Sequence, residues 1–133
     1  MTDEITLEES FEYSLHNFLQ WLDVMTLQPV ELCNVWGNYN VAWELVSDLK
    51  SDGNAAISNP YSYLNAYQKE EIQRFLGSLA NIPQSVLVGA TSVSANQEAM
   101  SHPCWLPFKG SASALLKTLE PAATRNKAYF ASL

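Results

Sequence analysis

Few residues in this chain are of types that could do chemistry, and their spacing decides what remains open to them. His102 and Cys104 offer two metal ligands, but a structural zinc site takes four, and His16 and Cys33 are the only other histidine and cysteine. The same residues could form a nucleophile and its base only if the fold joined them and held a low-pKa thiol in an accessible cleft, and nothing in the sequence marks one. A Gly-rich phosphate loop, an HExxH helix, a nucleophile elbow and an EF-hand loop are all absent. Carboxylate pairs of the glycoside-hydrolysing kind exist in number, but an acidic surface supplies such pairs by chance. The expectation is therefore a protein with no catalytic residues, no metal and no cofactor, acting on no small-molecule substrate, with a small enzyme of unrecognised site as the weakest alternative.

What remains is the acid itself. Net charge is −7, and residues 1 to 52 carry ten acids against one base, Lys50, whereas the remainder carries four acids and six bases. An acidic half repels nucleic acid and anionic membranes and attracts a basic protein. Glu44 and Asp48 stand four residues apart, where like charges oppose a helix by a few tenths of a kcal/mol. That spacing invites a functional reading, in which Glu9, Glu12 and Asp23 on a first helix join Glu44, Asp48 and Asp52 on a central one to face a basic partner. Tyr39 and Asn40 complete the expected contact set, with Trp36, Tyr61 and Tyr63 as further aromatics that could anchor an interface or fill a core.

The elements that must position these residues read as helices. Thr6 with Glu9 makes a capping pattern, and a helix to about Met25 follows with Leu7, Phe11, Leu15, Phe18, Leu22 and Met25 as its apolar stripe. Glu9, Glu12, His16, Gln20 and Asp23 lie opposite, on a face expected to be wet. Pro29 suits the first turn of a short helix through Val35, and Gly37 ends it. Asn38 is placed to cap the central helix, with Gly53 as its left-handed stop.

Residues 54 to 64 read as a connection, and Asn65 with Gln68 caps a helix to about Asn81. Ser85 to Val88 is either a short strand or a buried helical turn, and Ser94 with Gln97 suggests a short helix to about Ser101. The segment 102 to 107, with two prolines, cannot continue that helix and reads as a proline-stiffened loop with Trp105 plugging the core. Ser111 then caps a helix carrying Leu115, Leu116 and Leu119, Pro121 breaks or restarts the helix, and a last segment runs through Tyr129, Phe130 and Leu133. The prediction is an all-α fold, a compact single-domain bundle of five to seven helices spanning 1 to 133. No run of eighteen apolar residues and no secretory signal is present, so a cytoplasmic location is expected, with Cys33 and Cys104 as buried thiols.

The stretch Trp36-Gly37-Asn38-Tyr39-Asn40-Val41-Ala42-Trp43-Glu44-Leu45 with Asp48, followed by the helix of Asn65 to Pro83 with Gln68, Ile72, Leu76 and Leu79, resembles a known family. It is similar to the small acidic immunity proteins of bacterial polymorphic-toxin systems, particularly contact-dependent growth inhibition. The resemblance implies a non-enzymatic antitoxin that binds the C-terminal domain of one cognate toxin and blocks its active site or access to it. Many such toxins are nucleases, often tRNases, with basic substrate-binding surfaces that an acidic inhibitor mimics nucleic acid to occupy. The charge pattern alone leaves open a helical adaptor or regulatory subunit that binds some other basic protein.

Overall fold

An apolar residue at every third or fourth position commits a segment to bury one helical face, and the chain does this repeatedly. The computed structural model describes residues 5–27, 40–87 and 92–133, and among them it is all-helical, with seven α-helices. In chain order these are α1 (Leu7–Met25), α2 (Val41–Ser58), α3 (Ala66–Ser78), α4 (Gln84–Leu87), α5 (Val93–Met100), α6 (Leu106–Thr118) and α7 (Glu120–Ala131). None of the described helices is long and apolar enough to cross a membrane.

The α1–α2 pair is the centre. Phe11, Leu15, Phe18 and Leu22 of α1 are wholly buried with Val41, Ala42, Leu45 and Leu49 of α2. Burial of one large apolar side chain contributes about 1.5–3 kcal/mol, so this seam dominates the apolar stabilisation. Helices α6 and α7 pack on α1, while α3, α4 and α5 pack on α2. Trp105 closes the far end, 2% exposed, with its indole N–H donating to the Ala99 carbonyl at 2.9 Å.

Asparagines tie the helix ends. The Asn40 side chain accepts the Trp43 amide at 3.2 Å and donates to the Leu87 carbonyl at 2.8 Å. The buried Asn96 side chain accepts the Val41 amide at 3.0 Å, which answers a donor left orphaned at the start of α2. At the other end of α2, Asn59 donates to the Leu7 carbonyl at 3.0 Å, fixing α1 and α2 antiparallel. Asn65 and Gln68 form the expected reciprocal capping box on α3. Lys109 reaches the Leu27 carbonyl just past the C-terminal end of α1, where a cation meets the negative pole of the helix.

Several expected boundaries are corrected. The central helix is capped by Asn40 and runs to Ser58 instead of stopping at Asp52, so the connection begins only at Asn59. Gly53 is needed for closeness and not for a turn: a Cβ there would stand 2.9 Å from Leu76 Cδ1 and 3.0 Å from Phe18 Cε1. Ser92, and not Ser94, caps α5, by accepting the Ala95 amide. Helix α6 starts at Leu106, five residues before Ser111, because a proline in the first turn lacks only a donor that has no intrahelical partner there. Leu7, expected in the apolar stripe, is 55% exposed because it occupies the first, uncovered turn of α1. The segment around Ser85 is one helical turn. The short helix expected from Pro29 to Val35, the stop expected at Gly37 and the cap expected at Asn38 fall outside the described residues.

Gly53→Val is expected to lower stability by about 1–3 kcal/mol through overpacking, measured by urea denaturation. Gly77→Ala on α3, where an added Cβ meets nothing within 4 Å, should instead raise it by up to about 1 kcal/mol through helix propensity.

Candidate functional site

Four residues along a helix advance only about 40° around its axis, so acids at that spacing line up as a ridge. Glu44, Asp48 and Asp52 do this on one flank of α2, and all three are half-buried. The last of them meets α1, where the Trp21 indole N–H donates to Asp52 Oδ2 at 3.0 Å. Loss of water pushes the Asp48 carboxyl above the ordinary aspartate value. Asp52 is raised first by the same dehydration and further by the Asp48 charge, against the opposing Trp21 hydrogen bond. Among the described residues the ion pairs are those of Arg74 with Glu70 and Glu71 on α3, so no lysine or arginine there neutralises the ridge.

The remaining expected contacts disperse. From Trp21 to Asp23 the helix turns by about 200°, which puts Asp23 on the side of α1 away from the ridge. Glu9 lies within about 40° of Asp23 around the same axis, so the acids of α1 do not join those of α2 in one surface. Asp23 is exposed and Glu9 half-buried. Asn40 engages both ends of its amide within the chain, as the cap of α2 and as a donor to Leu87. Tyr39 and Trp36 lie outside the described residues. Tyr61 is 57% exposed, while Trp43, beside Glu44 in sequence, is 51% exposed.

Glu12 corrects the expectation most sharply. Its spacing puts it on the expected wet face of α1, yet it is 5% exposed, because α7 and the segment before α3 fold over that side of the helix. Its carboxylate accepts the Tyr63 hydroxyl at 2.8 Å and the Asn126 amide at 2.8 Å, and Asn126 also reaches the Glu12 backbone carbonyl at 3.0 Å. The Arg125 guanidinium lies 4.0 Å over the Tyr63 ring. Burial, then the carboxylate acceptor, holds the Tyr63 phenol well above its usual range and so protonated. Glu12 is a structural acid with its partners inside the fold.

The histidine and cysteine pairs take structural places. His102 Nδ1 accepts the Cys104 amide at 3.0 Å, capping a short 3-10 turn over Pro103–Trp105. Burial pushes the half-buried Cys104 thiol up, away from the thiolate a nucleophile needs. His16 packs against Phe130, and Cys33 lies outside the described residues. Among the described residues no group of three or more His, Cys, Asp or Glu side chains could hold a metal ion. A cleft of about 420 Å³ between α3 and α6 is lined by Tyr67, Phe75 and Leu115 with the paired Arg74, and it includes none of the ridge acids.

Trp21 is the site residue that sequence reading passes over. Its signal is its place between the apolar stripe and the polar face of α1, where an indole needs both an apolar bed and an acceptor. No family model, curated protein or solved structure matches the chain.

Glu12→Ala should lower stability by about 1.5–3 kcal/mol, because it strips a charged acceptor from two side chains, and thermal unfolding measures this. Asp48 behaves in the opposite sense: its folded pKa lies above its unfolded one, so its ionisation lowers stability as pH rises through the aspartate range. Asp48→Asn should therefore match the parent at pH 3. At pH 7 it should exceed the parent by about 0.2–0.5 kcal/mol, as the cost of holding a partly dehydrated charge and its repulsion of Asp52 are removed.

Proposed function

We propose that this protein is an immunity protein that binds and neutralises one cognate toxin domain without catalysis, through the carboxylate ridge of α2. The observation that carries this reading is that Glu44, Asp48 and Asp52 are half-buried in one line with no cation beside them among the described residues. The partly dehydrated carboxylates of Asp48 and Asp52 are costly to keep charged, and a guanidinium or ammonium arriving from a partner offsets that cost. Such acids gain more from a partner than fully hydrated ones do, and they hold fixed positions on a rigid helix. The exposed Trp43 ring, next to Glu44, supplies an aromatic anchor of the type that dominates interface energetics.

The partner is a basic protein, and the resemblance to toxin-immunity pairs makes it the C-terminal domain of a toxin. A nuclease fits best, a tRNase among them, because its substrate groove is built to receive a line of negative charge. The inhibitor offers carboxylates where phosphates would lie, and so excludes the nucleic acid while having no use for it itself. The same charge keeps the protein from nucleic acid and anionic membranes and accords with action in the cytoplasm, where such toxins meet their substrates.

Co-expression with a candidate cognate toxin domain should restore growth and give a complex that co-purifies at low salt. Glu44→Lys with Asp48→Lys should keep a normal circular dichroism spectrum, slow association by at least about tenfold and flatten its salt dependence. Failure of the parent protein to bind at low salt would remove the proposal, and unchanged kinetics in the double variant would move the interface off α2.

A further inference from the structure

The side of α1 turned away from the ridge carries a surface of different chemistry. Phe130 of α7 lies between Tyr13 and His16 of α1, with ring centres 5.2 Å from each, and Tyr129 stands 5.2 Å from Phe130. These rings are not interred: Tyr13 is 45% exposed, His16 is exposed, and Tyr129 and Phe130 are half-buried. Four rings gathered at a surface hold their faces in place by packing on one another, which removes much of the ordering cost of binding.

Acid lies against these rings. Glu9 precedes Tyr13 by four residues and so occupies the neighbouring position on the same face of α1. The Tyr129 phenol is raised above its ordinary value, with the charges of Glu9, Glu8 and Glu12 contributing after loss of water. An aromatic face draws a cation through its quadrupole, and an adjacent carboxylate pairs with the same cation. The fold already uses the first half of this arrangement at Tyr63, under Arg125. Among the described residues no cation lies over Tyr13, Tyr129 or Phe130, and none pairs with Glu8 or Glu9.

We propose that Tyr13, Tyr129 and Phe130, with Glu9, form a receptor for an arginine side chain of a basic polypeptide segment, separate from the ridge on α2. Arginine is favoured over lysine because its planar guanidinium stacks on a ring while its N–H fork meets a carboxylate. His16 packs on Phe130, and the exposed Lys127 stands three residues before Phe130 on α7. The site stands independently of the toxin reading, since it needs only a basic segment and not a toxin.

The test is a titration of the full chain with acetyl-Gly-Arg-Gly-amide, followed by NMR of the aromatic side chains, with the citrulline peptide as a neutral isostere. Ring signals of Tyr13, Tyr129 and Phe130 should move with the arginine peptide and stay still with the citrulline one. Tyr13→Leu, which keeps an apolar contact on Phe130, and Glu9→Gln, which leaves the core untouched, should each weaken binding by about three- to fivefold, as expected for one exposed cation–π contact or ion pair. Absence of shifts, equal shifts with citrulline, shifts confined to α2, or unchanged affinity in both variants would each overturn the proposal.

Discussion

The close approach of three helices at Gly53 is the constraint on which the rest of the structure depends. Phe18 of α1 and Leu76 of α3 stand so near the Gly53 Cα that no larger side chain fits without a shift. Phe18 is wholly buried there, and the apolar seams of α1 on α2 and of α2 on α3 close around this point. Asp52 is the residue before Gly53, and Trp21 follows Phe18 by one helical turn, so the same contact brings indole to carboxylate. The partial burial of Asp52 is thus a consequence of core packing, and its dehydration is built into the fold.

Polar side chains then fix what apolar packing leaves free. Asn40, Asn59, Asn96 and Asn126 each bridge segments distant in sequence, from the start of α2 to the Glu12 carboxylate. Every buried side-chain polar atom among the described residues has a hydrogen-bond partner, as a stable interior requires. The result divides the acidic half of the chain. Glu12 is drawn inside, Glu9 and Asp23 face one side of α1, and Glu44, Asp48 and Asp52 line the other helix beside Trp21.

The helical class and the α1–α2 core were legible from the sequence because 3.6-residue periodicity and local caps are properties of single segments. The Asn65–Gln68 box and the burial of Phe11, Leu45 and Leu49 follow from such local rules. Gly53 was misread because a glycine at a helix stop and a glycine at a helix crossing look alike until the partner helix is known. The prolines do end α5 as expected, but Pro107 also falls in the first turn of α6, where a proline starts a helix as readily as one further in stops it. The burial of Glu12 could not be seen from α1 alone, since the covering Asn126 lies 114 residues away. For the ridge, the spacing of Glu44, Asp48 and Asp52 was legible, while the division of the α1 acids from it depends on which side of α1 packs on α2.

The central claim is that the ridge is held partly dehydrated in readiness for cations from a basic partner. Carbon-13 NMR titration of the Asp48 and Asp52 carboxyls, in the free protein and with the cognate toxin domain bound, tests it most directly. The account predicts that both groups titrate above the ordinary aspartate value when free and fall below it in the complex, because an adjacent cation favours the charged form. A complex in which both carboxyls keep their free-protein titration would place the partner elsewhere and contradict the account.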